Sequence, residues 1–485
     1  MSPAAQALSM IFLYLAVVLV VGVAARLKGT FSISEYLVGG RAFGLFLLYF
    51  LMVGDIYSGF AFLGAGGWAF RFGVPIFYSL AYSAIAYIVF YFLGPKIWRV
   101  GRDQGYITQP DFFEGRYESP ILGLFVTLFG FLYMIPYLQL QIMAGGLIFN
   151  AASFGLMPKE WGILLAFLIA GLYVYTSGLR GVAWTNVVQA IVMLGMAIAA
   201  IVYVIPSLFG SLGQMFRQLA ETSPRHLTLP GAKGDLGYAW YTSTTLMSGL
   251  GFWMWPHLFQ NTYSARDDRR IRITAVFAPF YTFLVAITAT LGFAAILIVP
   301  DLKEADLAVL EVVKRATPPW FLGLVGAGGL AAAMSTADTL TLCPAGLLGR
   351  NIYQRWINPG APEMHVARII QRLTILVLGI SVFFAFYAPS LLVYLLLVGY
   401  SGITQFFPGA ILGLYWRRAT KVGILSGLIV GEVLAALFLF VPGWKHPLGI
   451  FAGFWGLVFN FLMALVVSLR TTPPEVKTLR KFGLA

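Results

Sequence analysis

Three acids sit inside long apolar runs of this chain: Asp55, Asp338 and Glu432. An ionisable side chain within a hydrocarbon layer costs about 2.5–3.5 kcal/mol on insertion scales, so each must face water, a partner or a ligand. Close to one of them, Ala332, Ser335 and Thr336 offer a backbone carbonyl and two hydroxyls, three and four residues apart on one helix face. Oxygen-only, weakly charged donors suit a hard monovalent cation that must bind and leave quickly. The same hydroxyls also suit bonding to their own helix carbonyls. Tyr133, Tyr137 and Gln141 recur at four-residue spacing around Pro136 and form one polar stripe. Trp253, Trp255 and His257 flank Pro256, and Gln405 lies in the stretch GITQFFPG. These groups fit a small polar solute, although His257 fits helix packing as well. No nucleophile and base accompany them: His226, His257, His365 and His446 are scattered over loops and one helix. The single cysteine, Cys343, excludes an intrachain disulfide and Cys-rich metal sites. The chemistry on offer is binding and release, and an enzyme is not expected.

The elements that position these residues are membrane helices. Of 485 residues, 59% are hydrophobic and 11% charged, with a mean hydropathy of +0.83. Soluble domains run at roughly 45–50% apolar and about 25% charged, so a soluble protein is excluded. The apolar run Leu8–Val23 has no basic residue before it and reads as a span rather than a signal peptide. A hydrocarbon core about 30 Å thick needs roughly 20 helical residues. Thirteen segments qualify, near 6–25, 42–70, 74–94, 120–149, 159–178, 182–206, 238–260, 274–299, 320–348, 370–388, 391–415, 421–441 and 448–469. With the N-terminus outside, the inner loops hold most of the 32 Lys and Arg, including Arg26, Lys28, Arg41, the Arg266–Arg272 cluster and Arg350–Arg372. That asymmetry places the C-terminus inside, and the net charge of +13 reads as topology rather than nucleic-acid binding.

Two spans carry breaks. VGDIYSGFAFLGAGG, Val53–Gly67, places an acid and five glycines in an apolar helix, and MSGLGFWMWPH, Met247–His257, places two glycines and a proline at similar depth. Both are candidates for unwinding, or for two kinked packing helices. Spans 2–6 and 7–11 form two five-helix sets, each starting with its interrupted helix. An odd helix count makes the second set start from the opposite side, the inverted-repeat arrangement of secondary transporters. The units expected are 1–41, an extra helix and loop; 42–206, the first repeat; 207–237, an outer loop; 238–416, the second repeat; and 417–485, two helices and a short tail. A solute and an ion would bind between the breaks. Asp55 at the first break could organise the ion site, meet a substrate amine, cap a half-helix or carry a proton. Tyr57 and Ser58 follow it as candidates for the cavity wall. Glu432, in span 12 and outside both repeats, is expected to pack or sit at the interface.

The strings YLVGGR (Tyr36–Arg41), GYITQPDFFEGRY (Gly105–Tyr117), TSGLRGVAWTNVVQ (Thr176–Gln189), WPHLFQNTYSARD (Trp255–Asp267) and AAAMSTADT (Ala331–Thr339) occur in this order. Together, over about 35–409, they resemble the sodium:solute symporter family. The resemblance implies the leucine-transporter-like fold of two inverted five-helix repeats with additional terminal helices, and Na+ as coupling ion. It implies that Ser335, Thr336 and the Ala332 carbonyl hold sodium together with the carbonyls of Val53 and Ile56. Asp338, in the family's MST-x-D pattern, is then an acid behind the ligands. Many members have Thr-Asp where this chain has Thr185-Asn186, so Asn186 argues for one sodium per substrate. WPHLFQ is similar to the monocarboxylate and pantothenate branch, which implies a small carboxylate held by a half-helix N-terminus with hydroxyl or imidazole donors. A proline-like amino acid or pantothenate is the alternative substrate. The competing class is a membrane sensor, but only Arg470–Ala485 follow the last span, too few for a signalling domain. The expected partners are a small-molecule solute, sodium and the lipid bilayer of the plasma membrane, with no obligatory protein partner.

Overall fold

The computed structural model describes residues 1–25 and 32–484, so the loop cations Arg26 and Lys28 lie outside the described residues. Without water, backbone groups must bond within their own segment, and the apolar runs accordingly form helices. Helix α1 (Pro3–Ala24) starts at Ser2, whose side chain accepts from the Ala5 N–H. The second expected span is divided into α2 (Leu45–Ile56) and α3 (Ala65–Phe72), joined through a π-helical turn at Phe60–Gly64 and bent by 54°. Next come α4 (Tyr78–Gln104), the short α5 (Gln109–Tyr117), α6 (Pro120–Ala152) and the 51-residue α7 (Lys159–Phe209). The seventh expected span is α8 (Tyr238–Gly251), a 3-10 turn at Phe252–Met254 and α9 (Pro256–Thr262). Then follow α10 (Asp268–Phe277), α11 (Phe283–Ile298), α12 (Ala308–Ala316) and α13 (Pro319–Gly346), which continues as a π-helix to Ile357. The chain ends with α14 (Glu363–Tyr387), α15 (Leu392–Ile403), α16 (Phe407–Tyr415), α17 (Lys421–Phe440) and α18 (Ala452–Arg470).

Among the described residues, ten helical stretches are long and apolar enough to cross a membrane, or eleven with the bent pair α2 and α3. Thirteen were expected. The difference lies in two places. The expected span 238–260 is broken into pieces too short to qualify alone. The expected spans 159–178 and 182–206 are two helices within Lys159–Phe209, joined at the non-helical Gly178, and of these Gly178–Phe209 qualifies among the described residues. Gly178 has φ 56° and ψ −156°, and a Cβ there would lie 2.6 Å from the Tyr36 ring. Only glycine fits that backbone and that gap.

Burial sorts the helices into centre and rim. The best windows of Pro319–Ile357 and Leu392–Tyr415 are 83% buried, whereas those of Glu363–Tyr387 and Pro3–Ala24 are 28% and 33% buried. A helix apolar all round belongs to a core or a membrane, so α13, α15 and α16 form the centre and α14 and α1 face outward. α13 packs against α1, α6 and α7, and α17 pairs with α18.

Candidate functional site

The first break sits against the centre of α13. Tyr57, at φ −95° and ψ 86°, takes the chain out of α2 while its N–H still bonds the Val53 carbonyl at 3.1 Å. The next carbonyls lose their helical donors, and hydroxyls from α13 take their place. Ser335 Oγ donates to the Gly54 carbonyl at 2.8 Å, and Thr336 Oγ1 to the Asp55 carbonyl at 3.0 Å. Both hydroxyls also lie near their own Ala332 carbonyl, at 3.1 and 3.5 Å. Break and helix face therefore meet as the spacing of Ala332, Ser335 and Thr336 suggested. The carbonyls of the break that accept from the hydroxyls are those of Gly54 and Asp55, whereas the family resemblance implied Val53 and Ile56. The Val53 carbonyl keeps its helical bond.

Asp55 is fully buried beside this junction. Asn186 Nδ2 on α7 donates to its Oδ1 at 3.0 Å and also to the Leu51 carbonyl at 3.2 Å. Asn261 Nδ2 on α9 donates to its Oδ2, and the Thr339 side chain also hydrogen-bonds it. The two broken segments are thus tied together through one carboxylate. Sequence reasoning missed Asn261 and Thr339 as parts of the site; an amide just beyond the second break was the available signal. Asp338 is fully buried one residue before Thr339, close enough to Tyr14 of α1 to interact with it electrostatically.

The second break supplies the facing wall. Trp255, at ψ 123°, leaves the helix and Pro256 begins α9. Its ring lies 4.7 Å from that of Tyr137 on α6 and 6.0 Å from that of His257. The His257 and Tyr137 rings are 5.9 Å apart. Tyr137 hydrogen-bonds Ser58, and Gln141 Oε1 accepts from the Gly59 N–H at 2.9 Å. Ser58 Oγ in turn accepts the Phe60 N–H at 3.2 Å. Ser58, Tyr137, Gln141, Trp255 and His257 therefore form one group between the breaks, none more than 5% exposed. Among the described residues, both ring nitrogens of His257 are buried without a hydrogen-bond partner, beside the rings of Tyr137 and Trp255.

Four of the residues expected with them point elsewhere. Tyr57 turns the other way at the break, its hydroxyl 2.9 Å from those of Tyr87 and Thr282. Trp253 bonds the Ala86 carbonyl at 2.8 Å and stacks on Phe90 at 3.5 Å, because successive residues of a 3-10 turn splay by about 120°. Gln405 donates to the carbonyls of Ser401 and Gly453 and accepts from Asn460, so it faces α18. Tyr133 donates to Glu432 at 2.8 Å, since four-residue steps drift by about 40° each around a helix. Glu432 is 3% exposed and turned inward, the packed position of the two expected and not the interfacial one.

Side-chain contacts between helices lie toward both ends of the bundle. At the end with the arginine-rich loops, Arg350 pairs with Asp111 at 3.2 Å, Arg355 with Glu114, and Thr108 bonds Asn351 at 2.9 Å. At the other end, Trp68 stacks on Trp240 at 6.1 Å, with Tyr78 and Tyr394 edge-on. A group buried between two breaks, with no member more than 5% exposed, is suited to holding a solute away from either solution.

Comparison with known proteins agrees with this geometry. Residues 36–431 match the sodium:solute symporter family, and the chain belongs to it. It is 36% identical to YhjB, an uncharacterised symporter of Bacillus subtilis, over 96% of this chain and 97% of the relative. It is 27% identical to a monocarboxylate transport permease of Rhizobium johnstonii, over 90% of each chain. A solved Na+-coupled sialic acid symporter, in a substrate-bound outward-open state, superposes with a TM-score of 0.79 at 18% identity, covering 97% of this chain and 99% of that one. The chain is accordingly a multi-pass sodium-coupled symporter of a small organic solute, and not an enzyme.

Proposed function

We propose that this member of the sodium:solute symporter family imports a small organic carboxylate, a monocarboxylate before other classes, with one sodium ion by alternating access. The single observation that carries the substrate class is the hydrogen-bonding capacity of the side chains between the breaks. Among the described residues, His257 has two nitrogens without partners beside Tyr137, whose hydroxyl bonds Ser58. An imidazole N–H and hydroxyls can hold a carboxylate in a buried site without an arginine. The amino-acid alternative is less favoured by the geometry, because a substrate amine would need Asp55. Both Asp55 oxygens already accept side-chain amides. One relative is named for monocarboxylates, and sialic acid is itself a carboxylate.

For the ion, the oxygen-only set of Ser335, Thr336 and the Ala332 carbonyl fits sodium, with carbonyls from the first break completing it. The hydroxyl hydrogens that now bond Gly54 and Asp55 would rotate away to present lone pairs. The arrangement is read as two inverted repeats, 42–206 and 238–416, within thirteen crossings, N-terminus outside, in the plasma membrane. Counterflow in proteoliposomes loaded with unlabelled solute tests the reading. Sodium-dependent uptake of a radiolabelled monocarboxylate, with proline and pantothenate at background, is the expected result. Exchange of proline alone would overturn the substrate class, and no exchange across the whole panel would favour the sensor alternative.

A further inference from the structure

Glu432 has no part in the transport reading, yet it is the acid with the least satisfied surroundings. It lies midway along α17, outside both five-helix sets, with its side chain buried. Tyr133 Oη donates to Oε2 at 2.8 Å, and among the described residues Oε1 is buried with no hydrogen-bond partner. No ion pair among the described residues includes it. The helices packed against α17 offer no counter-charge. Residues 392–415, which form α15 and α16, contain no Asp, Glu, Lys, Arg or His. α18 contains only Arg470, at its far end. The neighbouring Gly431 lies against Gln405 and Asn460, which bond one another at 3.2 Å. Among the described residues, the titratable group that hydrogen-bonds Glu432 is Tyr133, from α6.

A charge buried without a counter-ion is far costlier than a neutral group that lacks one acceptor bond. We propose that Glu432 and Tyr133 form a proton-binding site, separate from the sodium position, whose occupancy is felt at the solute pocket. The chemistry is one proton joining the carboxylate, with no other bond changed. In the charged form the Tyr133 O–H donates to the carboxylate. In the neutral form the carboxyl O–H donates to the tyrosine oxygen, and the remaining oxygen becomes a carbonyl.

The route to the pocket is short. The Tyr133 ring fills the space over Gly402 of α15, which has no room for a Cβ. A Cβ on Gly399, one turn earlier, would lie 2.5 Å from the Trp255 ring and 3.2 Å from the Tyr133 carbonyl. Tyr137, one turn on in α6, carries the contacts to Ser58 and Trp255. A reversed hydrogen bond at Tyr133 therefore acts on the junction of α6 and α15 that frames Trp255.

The test reads the carboxyl directly and needs no solute, so it stands or falls separately from the substrate assignment. The full-length protein in lipid vesicles is titrated with pH under infrared difference spectroscopy. The expected result is a protonated-carboxyl stretch that disappears on titration to alkaline pH, is lost in Glu432→Gln and changes frequency in Tyr133→Phe. A spectrum of Glu432→Gln identical to wild type at every pH would overturn the proposal. If Glu432→Gln does not fold, Tyr133→Phe decides alone, and an unshifted spectrum overturns it equally. As a functional arm, the sodium concentration giving a half-maximal change in tryptophan fluorescence should vary with pH in wild type and lose that dependence in Glu432→Gln. Equal pH dependence in both would show that the pocket does not sense the site.

Discussion

Replacing Asp55 by asparagine separates two tasks of this carboxylate, joining the two breaks and, at the proposed ion site, attracting the cation. Structurally, it accepts amides from Asn186 and Asn261 at the point where both broken segments meet. In Asp55→Asn one acceptor oxygen becomes an N–H2 that faces another donor. Hydrogen bonds to a charged group contribute roughly 1.5–3 kcal/mol each. Asn186 Oδ1 has no partner, so that amide can turn over and accept from the new side chain, giving up its 3.2 Å bond to the Leu51 carbonyl. The net structural loss is about one bond, ~1–3 kcal/mol, and the variant should fold. Electrostatically, an ion among the carbonyls of the first break lies about one helical pitch, roughly 5.4 Å, from the carboxylate. At an effective dielectric constant near 20 that charge is worth about 3 kcal/mol to a monovalent cation, on the order of 100-fold in affinity. The expected outcome is a melting temperature lower by several degrees and a half-saturating sodium concentration raised by on the order of 100-fold. Proteoliposome uptake against sodium concentration, with thermal melting of the same preparations, measures both. Unchanged sodium dependence in a folded Asp55→Asn protein would refute the assignment of the carboxylate to the ion site.

Ser335→Ala and Thr336→Ala should each raise the sodium requirement by about tenfold or more and weaken solute binding in proportion, because linkage between two ligands is reciprocal; sodium-titrated tryptophan fluorescence with and without solute reads both, and alanine variants with wild-type titrations would remove these hydroxyls from the site. Gly178→Ala forces a side chain into a backbone region open essentially to glycine and against the Tyr36 ring, at about 1–3 kcal/mol or more. Its melting temperature should fall by several degrees, and an unchanged melt would mean that the kink in α7 relaxes freely. Asp306, in the loop between α11 and α12, is buried and accepts the Leu392 N–H at the start of α15; burial pushes its carboxyl from 3.8 up to about 7. A raised carboxyl binds more protons folded than unfolded, so its contribution is fully present below pH 3.8 and is lost as pH rises through about 7. Melting temperature measured across that window should lose this component in Asp306→Asn, and identical pH profiles would count against the buried carboxyl.

What the sequence disclosed, and what it hid, divides by the reach of each interaction. The breaks were legible because glycine, proline and an acid inside apolar runs all work against a continuous helix in lipid, and the hydroxyl pair was legible because helical spacing places Ser335 and Thr336 beside their own Ala332 carbonyl. Direction beyond a break was not legible. Tyr57 and Ser58 are adjacent, yet one bonds Thr282 and the other Tyr137. Once the chain leaves regular helix, no fixed angle links one residue's direction to the next. Periodicity also says nothing about partners far apart in the chain. Asn261 holds Asp55 across 206 residues, and Tyr133 holds Glu432 across 299. Glu432 is the sharper case. α17 is apolar on every side, so its sequence has no polar face from which to read which way a single acid turns. The cost of an acid in hydrocarbon requires only that some partner exist. That requirement, applied strictly, already argued against an interfacial role for a residue near the middle of a span, and it is the inward turn toward Tyr133 that gives the acid a connection to the pocket.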